Sequence, residues 1–152
     1  MIEIVRTDAS NKKYAELVEL LDTHLKESDG DEHDFFAQYN SSSDIKYVVL
    51  AYEDETAVGC GAMKEYSEGV MEIKRMFVRE DSRGQGIAAR ILTELENWAI
   101  EMSYLRCILE TGKNQPAAIA LYKKMDYKPI DNFGQYAGVE SSVCFEKVFV
   151  AG

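Results

Sequence analysis

The sequence predicts an α/β fold, a mixed sheet with helices on both faces, in the order βααβββαβαββ. Three observations carry this. Between residues 46 and 78, three strand-like runs follow one another across short turns, the pattern of an antiparallel meander. From residue 87 the apolar period lengthens to that of a helix. Two further strand-like runs, 105–110 and 143–149, have helical material between them, so helices are interleaved with strands. The 152 residues, 46% of them hydrophobic, are enough for one domain spanning 1–152, since a chain of this size buries about 70% of its unfolded surface. No linker or repeat interrupts it.

Taken in order, Ile2 to Arg6 alternates and opens as a strand. Ser10 or Asn11 caps a helix that carries Tyr14, Leu17, Val18, Leu21 and Leu25 on one face. After an acidic loop, residues 34–39 predict a short second helix. Lys46 to Glu53 and Thr56 to Tyr66 are strands joined by the polar turn Glu53-Asp54-Glu55, with Gly59 and Gly61 marking a bulge or close packing. Met71 to Val78 is rich in β-branched and long apolar residues and reads as a strand whose alternation falters near Arg75 and Met76. Arg79 to Arg83 is polar. Beyond it, Ile87, Ala88, Ile91, Leu92, Leu95, Trp98, Ala99 and Met102 fall on one helix face. Leu105 to Glu110 is the next strand, and Asn114 or Gln115 caps the helix after it, with Pro116 tolerated in the first turn. Tyr127 to Ile130 begins a strand, Asp131 to Ser141 is a loop and Val143 to Phe149 closes the chain as a strand.

Charge and composition exclude several function classes. Seventeen basic against 27 acidic residues give a net charge of −10, which argues against nucleic acid or an anionic membrane as partner. Met1 to Arg6 is no signal peptide and no apolar run reaches the ~20 residues of a membrane span, so a cytoplasmic location is expected. Cys60, Cys107 and Cys144 are odd in number, far apart and set in apolar strand-like stretches, as small core residues of a reducing compartment are. The run Asp29 to Asp34, with His33, has neither the glycine nor the terminal glutamate of an EF-hand loop, and no metal site is predicted.

The turn Arg83-Gly84-Gln85-Gly86-Ile87-Ala88 joins a strand to a helix start. The first helical turn leaves N–H groups unpaired at the positive end of the helix dipole, and glycines let an anion approach that backbone. A plain tight turn has the same glycines. Gly84-x-Gly86-x-x-Ala89 also satisfies the dinucleotide fingerprint, with Glu110 about where a ribose-binding acid belongs. Against that, Val78 and Gly84 are separated by charged residues, and Glu72, Lys74 and Arg75 do not suit a parallel strand buried on both faces.

Arg83-x-x-Gly86-x-Ala88, after a strand ending in valine, resembles the acyl-CoA binding signature of the GCN5-related N-acetyltransferase family, Q/R-x-x-G-x-G/A. Asn114 to Tyr122, leading to Tyr127, resembles that family's second signature, an N-x-x-A-x-x-L-Y run, with one residue more between its asparagine and its tyrosine. Ala88 stands where glycine is commoner, and Met125-Asp126 replaces the usual glycine before the aromatic. The resemblance covers roughly residues 45–148. It implies an acetyl-CoA-dependent N-acetyltransferase acting by direct attack of an amine on the thioester, as a monomer or homodimer. The cofactor, acetyl-CoA, would bind at Arg83, Gly84, Gln85, Gly86, Ile87 and Ala88. The backbone of Met76, Phe77 and Val78 would hold its pantetheine arm between splayed strands, with Asn114 bonding the same arm. Lys113 and Lys123 would reach the adenosine 3′-phosphate.

An alkylammonium with a pKa near 10.4 must lose a proton at pH 7, so a carboxylate base is needed. The resemblance gives that role to Glu72, eleven residues before Arg83; a solvent-facing strand residue paired with Lys74 or Arg75 is the other reading of it. Tyr122 falls in the general-acid position of the same family, and a core tyrosine is its other reading. Residues 29–39 and 131–141 would flank the acceptor, and their acids and aromatics fit a small cationic amine, polyamine or amino acid. A non-catalytic acyl-CoA or nucleotide sensor with the same fold is the alternative function.

Overall fold

The computed structural model describes residues 1–29 and 45–149. Over them the elements are β1 (Ile2–Thr7), α1 (Lys12–Asp29), β2 (Tyr47–Glu53), β3 (Thr56–Ser67), β4 (Val70–Val78), α2 (Ile87–Glu101), β5 (Arg106–Gly112), α3 (Pro116–Lys124), β6 (Lys128–Ile130) and β7 (Ser142–Val148). This is the expected order, except that the short helix predicted over 34–39 lies outside the described residues, as does most of the acidic run with His33.

The seven strands form one sheet in the order β1-β2-β3-β4-β5-β7-β6. Only β4 and β5 pair in parallel; every other pairing among the described residues is antiparallel. That mixed arrangement is the predicted fold class and rules out the doubly wound parallel sheet that a dinucleotide fingerprint needs. Alternation sorts the side chains of each strand to two faces. Val49, Met71, Ile73, Leu109 and Phe145 pack with Ile91, Leu92 and Leu95 of α2 on one face. Val48, Leu50, Cys60 and Ala62 pack with Tyr14 and Leu17 of α1 on the other.

Local chemistry explains most element ends. The Lys13 amide donates to Asn11 Oδ1 at 2.8 Å, so Asn11 is the cap of α1, while Ser10 turns back to Asp8. At α3 the side-chain cap expected of Asn114 or Gln115 is missing: Gln115 holds the cap position without a side-chain bond there, and Pro116 opens the helix. β5 runs two residues further than its composition predicts. Thr111 and Gly112 continue to pair with Val143 and Ser142, so a distant partner, not local pattern, sets that end.

Beneath β5 and β7 a polar network is enclosed. Glu96 of α2, 6% exposed, accepts a 2.8 Å bond from the Tyr127 hydroxyl and a 2.9 Å bond from Lys147 Nζ. Both carboxylate oxygens therefore have partners, as a buried charge requires. The three cysteines are free and buried. Burial pushes the thiols of Cys60 and Cys107 up to about 12 and that of Cys144 to about 11, so they are inert core residues as expected.

Candidate active site

The site begins with a bulge. Cys60 faces Phe77 and Ala62 faces Lys74, which leaves Arg75 and Met76 together opposite Gly61. The faltering alternation of the sequence is this extra residue. Arg75 takes φ 59°, an uncommon left-handed conformation for a side-chain-bearing residue, and Asp22 of α1 holds its guanidinium at 2.7 Å. A Cβ on Gly61 would lie 2.6 Å from Met76 Sδ and 2.7 Å from Ile91 Cγ2, so the bulge closes only over glycine. A bulge bends and twists its strand. Accordingly β4 pairs with β5 only through Val70, Met71 and Glu72, the last opposite Ile108, although both strands continue.

From Ile73 onward the edge of β4 that faces β5 has no ladder partner among the described residues, and a cleft of about 470 Å³ fills the gap. Met76, Phe77 and Val78 line it. Their side chains pack to opposite faces, Met76 and Val78 toward α2 and Phe77 toward α1, which leaves their main chain to border the opening.

One end of the cleft is the glycine turn. Residues 80–82 form a single 3₁₀ turn. It is pinned by Arg79 Nε to the Ala57 carbonyl at 3.0 Å and by Arg83 Nε to the Val78 carbonyl at 2.9 Å. Arg83 thus spends that donor on the loop itself and lays its guanidinium over Phe77. Gly84 and Gly86 have φ near +80°, and no atom lies within 4 Å of where a Cβ would stand. Gly86 caps α2 without any side-chain bond. Among the described residues, no acceptor takes the first amides of α2. An open row of N–H groups at a helix start suits an anion, and the free strand edge beside it suits an extended chain of amides.

In the middle of the cleft are titratable groups. Glu72, 2% exposed, is 3.5 Å from Lys74 Nζ; burial lowers the pKa of that lysine against the opposing pull of Glu72. Glu72 is therefore not the solvent-facing strand residue of the bland reading, though it has the partner that reading named. Tyr122 of α3 enters from the opposite face, 5% exposed, its ring edge-on to Tyr127 at 5.8 Å and tilted against Phe145 at 6.1 Å. Burial, followed by the charge of Glu110, raises the pKa of its hydroxyl well above the ordinary tyrosine value. No described residue hydrogen-bonds that hydroxyl. Tyr136, 3% exposed, also lines the cleft and is raised by burial, then by Glu110 and Glu72. Glu110 is tied to β7 through the Ser142 hydroxyl at 2.7 Å.

Of the residues singled out in the sequence, Glu72, Met76, Phe77, Val78, Arg83, Gly84, Gly86, Ile87, Ala88 and Tyr122 all border this one cleft. Gln85 and Asn114 do not: Gln85 is exposed and donates to the Ser82 carbonyl at 3.2 Å, and Asn114 sits exposed against Gly112. Lys113 and Lys123 are off the cleft as well, whereas Lys124 lines it. Helical spacing carried that signal, because Ala117, Leu121 and Lys124 share a face. Leu21, His24 and Leu25 of α1 also reach the cleft, and nothing local in the sequence marks them.

Comparison with known proteins agrees with this geometry. A model of the acetyltransferase (GNAT) family matches residues 14–127. The chain is 34% identical over 149 residues to the IAA acetyltransferase of Azospirillum brasilense, covering 96% of this chain and 97% of that protein. A provisionally assigned acyl-CoA N-acyltransferase from Klebsiella pneumoniae has a TM-score of 0.82 at 28% identity over 97% of both chains. The PaiA N-acetyltransferase of Thermoplasma acidophilum, solved in complex with coenzyme A, shares the fold with a TM-score of 0.70 at 20% identity, over 98% of this chain and 99% of that one.

Proposed function

Because the chain belongs to the acetyltransferase (GNAT) family, we propose that it transfers an acetyl group from acetyl-CoA to a primary amine of a small molecule or peptide. The observation that supports this best is the parting of β4 and β5 after Glu72, which brings an open amide row, a free strand edge, a buried carboxylate and a buried tyrosine to one cleft. Acetyl-CoA supplies an activated thioester and a thiol leaving group. The amides of Gly86, Ile87 and Ala88 hold the diphosphate end, where no side chain intrudes. The main chain of Met76 to Val78 takes the amide-bearing arm as an added strand.

An amine arrives at neutral pH as an ammonium and attacks only after losing a proton. Glu72 accepts that proton, directly or through a water, and Lys74 beside it fixes the carboxylate. The amine nitrogen then forms its bond to the acetyl carbon as the carbon–sulfur bond breaks. Tyr122 gives its proton to the departing sulfur and is reprotonated by the second proton that the newly acetylated nitrogen sheds. Burial holds the tyrosine protonated across the neutral range, the state a proton donor must be in.

The test is a panel of primary amines incubated with acetyl-CoA, following free thiol and the mass of the product. Amine-dependent thiol release with a product heavier by one acetyl group is expected. Coenzyme A binding with no thiol released for any amine would reduce the protein to a non-catalytic binder.

A further inference from the structure

We infer that Lys74 is a self-acetylation site: with no amine bound, its Nζ takes the acetyl group of acetyl-CoA, an inference that rests on the acetyl-CoA reading above. Lys74 and Glu72 are two residues apart on β4. Alternation puts both on the face opposite Met71 and Ile73, which pack toward α2. Lys74 Nζ is 3.5 Å from Glu72 Oε2, and both residues border the cleft. An amine of the protein itself therefore stands beside the carboxylate that deprotonates amines.

The cofactor's path ends at the same place. An arm anchored at Gly86 and laid along Val78, Phe77 and Met76 brings its acyl end to the bulge, and Lys74 is the residue just beyond the bulge. The other cations of the cleft are unsuited. Arg75 is held by Asp22 at 2.7 Å, and a guanidinium stays protonated. Lys124 is exposed at the far end of α3. Lys74 is buried, and burial lowers its pKa against the opposing pull of Glu72, which enlarges the share present as the neutral nucleophile.

The step balances without any further reagent. Glu72 takes a proton from the ammonium, and the neutral Nζ bonds to the acetyl carbon as the carbon–sulfur bond breaks. Tyr122 protonates the leaving sulfur and regains a proton from the new amide nitrogen. The products are acetylated Lys74, coenzyme A and the proton that Glu72 releases to water. An acetylated Nζ is uncharged, so Glu72 loses its ion pair, and the added group stands where an incoming amine would meet the thioester. Self-acetylation therefore silences the enzyme when acetyl-CoA is present without acceptor, and a bound amine protects it by competing for the acetyl group.

The experiment is incubation of the protein with acetyl-CoA and no amine, followed by intact mass, peptide mapping and turnover of an added amine. One acetyl group on Lys74 is expected, formed at a rate independent of protein concentration and matched by loss of turnover. In Glu72→Gln it should form about 10²-fold more slowly. Lys74→Arg, which keeps the charge, should gain no acetyl group and hold its own initial turnover rate through the incubation. Binding of coenzyme A with no acetyl group on Lys74 would overturn the inference. So would equal labelling of Lys74 in Glu72→Gln or in the urea-unfolded chain, since that is ordinary chemical acylation. Failure of the wild type to bind coenzyme A would instead refute the acetyl-CoA reading, and this inference with it.

Discussion

Replacing Tyr122 by phenylalanine separates chemistry from packing more cleanly than any other change in this site. The ring is 5% exposed and touches Tyr127 and Phe145, and phenylalanine preserves each of those contacts. What is removed is a hydroxyl that no described residue bonds. The stability change should therefore fall below the ~1 kcal/mol of an ordinary hydrogen bond, a shift of at most about 4 °C in melting temperature for a chain of this length. Catalysis should respond differently. Without its acid the thiolate leaves unprotonated, and kcat should fall by about 10²- to 10⁴-fold, or about 2.7–5.5 kcal/mol of barrier. Coenzyme A affinity should be unchanged. The assay is thiol release at saturating amine, where chemistry limits the rate, with thiol leaving groups of graded pKa. The defect should shrink as the leaving thiol becomes more acidic. Near-normal kcat, or a defect independent of the leaving group, would reject Tyr122 as the acid and return it to the core.

Other changes test other parts of the account. Glu72→Gln keeps the volume and removes the proton acceptor, so the rate at pH 7 should drop by roughly 10²-fold and recover partly at high pH as free amine accumulates; a wild-type pH profile would exclude the role. Gly61→Ala drives a methyl group into Met76 and Ile91 and should cost about 1–3 kcal/mol in a urea titration, the usual penalty of overpacking. A neutral result would mean that the bulge does not depend on glycine there. Glu96→Ala strands the Tyr127 hydroxyl and Lys147. Lys147 is partly exposed, so the loss should be about 2–3 kcal/mol, below that of a fully buried pair, and a loss under ~1 kcal/mol would show the network to be dispensable.

Much of this architecture is legible in the chain because local pattern and tertiary role coincide. The alternation of β1, the helical period from Ile87 and the glycine turn just before it each follow from nearest-neighbour chemistry. Even the bulge announced itself, as the break in alternation at Arg75 and Met76. What the sequence could not disclose depends on contacts between distant residues. Whether Glu72 is wet or dry turns on distant residues that wall the same cleft, among them Leu21 and Leu25 of α1 and Tyr136, and a strand reading alone left that open. The extension of β5 to Gly112 needs β7. Gln115 reads as a helix cap, yet it holds the cap position of α3 without a side-chain bond.

The central claim is that the cleft between β4 and β5 binds acyl-CoA through the backbone of the glycine turn. Titrating coenzyme A and NAD into the wild-type protein and into Gly86→Val tests it most directly. Gly86 has φ 77° and open space beyond it, so valine both strains the turn and fills the approach to the amides. The account predicts saturable binding of coenzyme A by the wild type, none of NAD, and a loss of at least about tenfold in affinity in a Gly86→Val variant that still unfolds cooperatively. Binding of NAD in place of coenzyme A, or undiminished coenzyme A affinity in the folded valine variant, would contradict it.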